Sequence, residues 1–388
     1  MTGNVDGCRL GFLGLDSLYL VVEYPLVDLW QRWSAEVALN DVRLREGIAV
    51  DGGLVVRRGG LGYKLSVWDG DARLFLTDRV EDVLKDTSAA GQGMGVMLQL
   101  GPRWLRQFGE IWETSRLVGN VLGQLEFFGV SRPEQYRIRV NRADLTVDVV
   151  GLNIGEFVID EWVKGWVGYA TQKQFHISPE SGLLGGLSVG SSAGAVRFKA
   201  YDKLVEAAKR GTTSFWRSVW GLGEDDFSAV TRFEWTVKVY EAQFAGARYL
   251  DEFTFARFCD VLNYVARSWG SLRIPQESDE NQTRWPYSPL WEFLLKLIDA
   301  WFFDYEGRAR REYDYSLDVS DSYLRFVAGT LAGLQVRAGL EKMRSSPATL
   351  ARALAFLAER GYPIEDIEKK ASERWAVLSR TLGAASGA

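Results

Sequence analysis

Three segments of this chain alternate, residue by residue, between apolar and charged side chains. In "RADLTVDVV", Arg142, Asp144, Thr146 and Asp148 fall on one side, and Ala143, Leu145, Val147 and Val149 on the other. In "VRFKAYDK", Arg197, Lys199, Tyr201 and Lys203 oppose Val196, Phe198 and Ala200. In "TRFEWTVKV", Arg232, Glu234, Thr236 and Lys238 oppose Phe233, Trp235, Val237 and Val239. A period of two is the signature of a strand with one buried face and one polar face, so these segments predict an antiparallel sheet.

The flanking regions read differently. The first 130 residues look β-rich, with "LYLVVEY", "GLVVRR" and "GYKLSVWDGDARLFL" set between glycine turns. "WDGD" is a hairpin signal and "GLLGGLSVGSSAGA" another, without the Gly-Lys-Ser/Thr ending of a phosphate-binding loop. After about residue 250 the period becomes helical. "DEFTFARFCDVLNYVARSWG" stops at Gly270, and "SPLWEFLLKLIDAW" opens with Ser288 as N-cap and Pro289 at the first helical position. "SPATLARALAFLAERG" repeats that opening at Ser346 and Pro347. The expected organisation is α+β: a β-rich region over 1–130 that could bind DNA, a core over 131–250, and a mainly helical region over 251–388. In the core, an antiparallel sheet with flanking helices would present an open catalytic face.

Composition narrows the chemistry. There is one histidine, His176, which excludes a two-histidine metal site and leaves no His-rich catalytic cluster. No G-x-S-x-G elbow accompanies it. With two cysteines, no signal-peptide pattern and no long uncharged apolar run, the expectation is a soluble cytoplasmic protein without a membrane partner. The net charge of −5 weakly opposes nucleic-acid binding, but basic clusters exist at Arg132, Arg137, Arg139 and Arg142, and at Arg308, Arg310 and Arg311. Most of the 15 tryptophans, including Trp162, Trp166, Trp235 and Trp291, sit in apolar patterns. Trp285 and Tyr287 are the better candidates for stacking on bases. The stretch from Pro347 to Trp375 admits a helix-turn-helix-like pair or a plain packing hairpin.

If the three charged faces share one sheet, Asp144, Asp148 and Glu234 converge near Tyr201. Packed carboxylates need protons, arginines or a cation, and without histidine they favour Mg²⁺ or Mn²⁺. Neighbouring cations or a metal would favour the Tyr201 phenolate, a nucleophile suited to a phosphodiester. On pattern alone a second reading stands: a solvated sheet face in which Arg and Asp pair across strands.

The four elements "RADLTVD" (142–148), "VGSS" (189–192), "KAYDK" (199–203) and "RFE" (232–234), in this order, resemble the replication initiation factor family. These are the Rep-trans rolling-circle initiators, or relaxases, of plasmids, integrative elements and filamentous phages. The resemblance covers roughly residues 130–240. Lys199 stands where the family usually has arginine, with Arg197 two residues earlier. The turn continues Ser192, Ala193, Gly194 and lacks the usual basic residue and later serine. The resemblance implies a nicking-closing endonuclease for replication initiation. Tyr201 would attack the origin strand, keep the 5′-phosphate and release a 3′-OH primer, assisted by Lys199, Lys203 and Arg197. Asp144 and Glu234 would bind the metal, with Asp148 third or instead orienting Arg142 or Arg232. Arg142, Arg232, Arg139, Ser191 and Ser192 would contact DNA. Implied partners are origin DNA, as single-stranded nick site and flanking duplex, a host helicase and a second copy of the chain. The alternatives are a non-catalytic origin-binding regulator of the same fold, or a metal-dependent nuclease that uses water.

Overall fold

The computed structural model describes residues 5–301, apart from 23–26, 38–41, 61–62, 78–95, 108–113, 180 and 240–246. The chain divides into two compact units, Met1–Tyr313 and Asp314–Ala388. The second unit lies outside the described residues. With it go the expected helix at Ser346, the helix-turn-helix-like pair and the arginines at 308, 310 and 311.

Eleven strands form one antiparallel sheet: β1 (Arg9–Val22), β2 (Ile48–Ala49), β3 (Val55–Arg58), β4 (Leu65–Asp69), β5 (Ala72–Leu76), β6 (Val96–Leu100), β7 (Ile138–Val150), β9 (Lys173–Ile177), β10 (Leu184–Val189), β11 (Val196–Asp202) and β12 (Val230–Val237). Their order is β2-β3-β4-β5-β6-β1-β7-β12-β11-β10-β9. β8 (Trp166–Gly168) and β13 (Gly270–Leu272) form a separate pair. The fold is therefore α+β, as the alternation predicts. The division expected near residue 130 falls inside the sheet, because β1 pairs with both β6 and β7. The expected hairpins form: β4 turns into β5 through Gly70 at φ 53°, a left-handed conformation that glycine adopts without steric cost.

The helices are α1 (Val27–Glu36), α2 (Pro102–Gln107), α3 (Thr114–Phe127), α4 (Ile159–Gly165), α5 (Lys203–Lys209), α6 (Thr213–Trp220), α7 (Phe255–Tyr264) and α8 (Pro289–Trp301). α8 starts where Ser288 Oγ accepts from the Trp291 backbone N–H at 3.2 Å. Its Leu290, Trp291, Leu294 and Ile298 are fully buried.

The two faces of the central strands have opposite fates. On one, Ala143, Leu145, Val147, Val149, Phe198, Phe233 and Trp235 are inaccessible to solvent. Phe198 is the hub, with ring centroids 5.2 Å from Trp166, 5.3 Å from Trp235, 5.6 Å from Trp291 and 5.9 Å from Trp162. Burying each such ring contributes about 1.5–3 kcal/mol, which fixes the register of β7, β12 and β11 against α4 and α8. The other face carries the charged row. The connection from β11 to β12 crosses one end of it: Trp216 and Trp220 of α6 pack there with Ala207, Val150 and Val230.

Candidate functional site

Cross-strand register assembles the site. β12 lies between β7 and β11, so the three charged segments share one face. Glu234 sits opposite Lys199 on one side and Thr146 on the other. Arg232 sits opposite Tyr201 and Asp148, and Thr236 opposite Arg197 and Asp144. Residues opposite or diagonal on one face are within side-chain reach. β11 stops just past Tyr201 because Asp202 caps α5, accepting from the Val205 N–H at 3.0 Å.

Glu234 holds the centre. Tyr201 Oη donates to its Oε2 at 2.8 Å, and Lys199 Nζ to its Oε1 at 2.6 Å. Arg142 grips Asp144 through two bonds of 2.8 and 2.7 Å and lies 4.7 Å from the Tyr19 ring centroid. Asp148 is wholly enclosed. It accepts two bonds from Arg232, at 2.6 and 2.7 Å, and a third from Trp220 Nε1 at 2.8 Å. Arg232 also pairs with Asp16. Lys203, buried at the start of α5, bonds Glu206 at 2.6 Å, lies 3.8 Å from Asp16 and covers Trp216.

The charges set the protonation states. Burial and then Glu234 raise the Tyr201 phenol well above its ordinary range. The sequence reading expected the opposite, a phenolate favoured by neighbouring cations. Those cations are already committed, Lys199 to Glu234 and Lys203 to Glu206 and Asp16, so carboxylates dominate around Oη. Burial opposes ionisation of Glu234, but Lys199 and Arg232 together hold the carboxyl below its usual range. Burial, then the Glu234 charge, pushes Asp144 up to about 6 against the pull of Arg142. Burial would weaken the Arg232 cation, yet Asp148 and Asp16 hold it firmly charged. The phenol is thus a proton donor bonded to an ionised carboxylate.

Several expected residues stand elsewhere. Arg197 lies toward the other end of β11 and donates to Ser188 Oγ at 2.9 Å and Gln174 Oε1 at 3.4 Å. Ser191 and Ser192 are exposed in the β10–β11 turn. That turn precedes Val196, and the five residues of strand from there to Tyr201 span roughly 17 Å. Arg139 is buried opposite Val21, beyond a register shift in β7, and its charge acts on Tyr63. Trp285 is buried with its N–H on the Asp279 carbonyl and offers no free stacking surface, while Tyr287 is half-buried with Arg273 4.2 Å from its ring centroid. His176 is exposed on β9.

As to a divalent cation, among the described residues no group of three or more His, Cys, Asp or Glu is arranged to hold one. Asp148 has no side left for a metal, because Arg232 and Trp220 occupy both of its oxygens. Asp144 and Glu234 are diagonal neighbours whose charges act on one another, but their oxygens are also taken, by Arg142 and by Lys199 and Tyr201, so these two would hold a cation only by giving up those partners for it.

Asp16, Trp216 and Trp220 escape the sequence reading. One signal existed for Asp16: a lone acid within the apolar run of β1. The tryptophans carried none, since nothing in α6 says which face of which sheet it covers.

No family model matches the chain, and no curated protein matches it. One solved structure similar to it is described as a Rolling Circle Replication Initiator Protein from Geobacillus stearothermophilus. The similarity has 15% sequence identity and a TM-score of 0.43, covering 78% of this chain and 99% of that one.

Proposed function

We propose that the chain is a rolling-circle replication initiator that nicks and rejoins origin DNA through Tyr201. The observation that carries this reading is the Tyr201 Oη to Glu234 Oε2 bond of 2.8 Å on the polar sheet face, with the Lys199 ammonium on the other oxygen of the same carboxylate. In this mechanism Oη attacks the scissile phosphorus and its proton passes to Glu234, which acts as general base. The P–O3′ bond breaks, the O3′ leaving group takes a proton from solvent, and the 5′-phosphate remains on Tyr201. Attack by a 3′-OH reverses the step and closes the strand. Lys199 and Arg142 supply positive charge for the phosphate oxygens. Asp144 and Glu234 would hold Mg²⁺ or Mn²⁺, which when bound would polarise a non-bridging oxygen.

The raised phenol favours a second reading, origin binding without chemistry. A denaturing gel separates the two. Under the first reading, wild-type protein with Mg²⁺ or Mn²⁺ leaves a covalent adduct with a single-stranded oligonucleotide carrying its own origin, and Tyr201→Phe does not. Binding by wild type without any adduct supports the second reading, and cleavage by Tyr201→Phe overturns both.

A further inference from the structure

A cleft of about 350 Å³ opens beside the site, lined among others by Asp16, Asp71, Arg73, Gln99, Arg103 and Glu206. Its volume lies at the small end of ligand pockets, a size for one nucleotide and not for a folded element. It adjoins the nucleophile, because Lys203, which also lines the cleft, lies 5.9 Å from the Tyr201 ring centroid.

The charges in the wall are unequally committed. Asp16 is held by Arg232 and Lys203. Glu206 is held by Lys203 at 2.6 Å and Arg210 at 2.5 Å. Asp71 accepts from the Arg103 backbone N–H at 2.8 Å. Arg73 and Arg103 remain: among the described residues neither makes an ion pair, and the buried Nε of Arg73 has no hydrogen-bond partner. Arg73 is instead fixed flat over Trp68, 3.8 Å from its centroid, and burial weakens its cation. A half-buried guanidinium with one buried, orphaned N–H awaits an acceptor, and guanidinium geometry matches phosphate. Beside it, the Gln99 amide and the Asp71 carboxylate offer the donors and acceptors that read a base edge.

We infer that this cleft is a subsite for one nucleotide of single-stranded DNA next to the scissile position, its phosphate held by Arg73 and Arg103. The inference rests on the nicking reading for its place on the strand, but binding measures it without chemistry. The probe is a labelled single-stranded DNA of mixed sequence, titrated onto Tyr201→Phe protein without divalent cation. Adding Arg73→Ala or Arg103→Ala should each raise Kd about tenfold and lower the slope of log K against log salt by about one. Arg284→Ala, which removes an exposed arginine outside the cleft, should leave Kd unchanged. Arg103 is exposed, so its variant tests the cleft even if Arg73→Ala fails to fold. Equal binding by Arg103→Ala and its parent, or an equal loss in Arg284→Ala, overturns the subsite. If Kd shifts as stated while wild type forms no adduct, the cleft stands and the nicking reading falls. If adduct forms while Kd stays fixed in the cleft variants, the reverse holds.

Discussion

Asp148 and Glu234 occupy the same face of one sheet, and each faces a basic residue on the neighbouring strand. Their surroundings differ in one respect. Trp216 and Trp220 of α6 roof the Asp148–Arg232 pair, which solvent does not reach at all. Glu234 is buried as well, at 6% side-chain exposure, but its partner Lys199 keeps 28% of its side chain exposed. A roofed ion pair acts as a structural pin, since both Asp148 oxygens are held by Arg232 and Trp220 and no solvent reaches the pair to exchange with it. A pair whose cation reaches solvent can trade that cation for a phosphate and its hydrogen bond for a proton. Under the proposed mechanism the first pair serves stability and the second chemistry.

Glu234→Gln sharpens the contrast most. It keeps the shape but cannot take the phenolic proton, so cleavage of a single-stranded origin oligonucleotide should slow by about 10²–10⁴-fold. Urea unfolding of the same variant should change by about 1 kcal/mol, because the half-buried Lys199 left behind still reaches solvent. Asp148→Asn inverts the pattern. It strands a buried guanidinium with only Asp16 to balance it, and should cost about 3 kcal/mol in urea unfolding. A small stability loss there, or a large one at Glu234, would break the division.

The third variant reads the link between the two acids. The folded pKa of Asp144 is raised from 3.8 to about 6, so the fold holds this proton more tightly than the unfolded chain does. Its contribution to stability is complete below pH 3.8 and is lost as the pH rises through about 6. Asp144→Asn, which cannot ionise, should flatten the fall in urea midpoint across that window. An unchanged slope would show that Glu234 and burial do not act on Asp144 as described.

The part of this arrangement that was legible in the sequence is the part set by period two. Alternation alone put Arg142, Asp144 and Asp148 on one face, Lys199 and Tyr201 on another, and Glu234 on a third, and the sheet joins all three. What remained hidden depends on contacts between distant segments. Asp16 enters from β1 beside a register shift, the roof comes from two tryptophans in α6, and Arg73 and Arg103 reach the cleft from β5 and α2. The direction of the phenol's shift was hidden for the same reason. It turns first on how deeply the ring is buried and then on the Glu234 carboxylate beside it, and a list of residue types does not contain that information.

The central claim is that Tyr201 becomes joined to DNA, and peptide mapping by mass spectrometry tests it most directly. After reaction with the origin oligonucleotide, nuclease trimming and proteolysis, the peptide containing Tyr201 should carry a nucleotide 5′-phosphate on the phenolic oxygen. A nucleotide on another residue, such as Tyr19 or Tyr63, or cleaved DNA with no modified peptide, would contradict it.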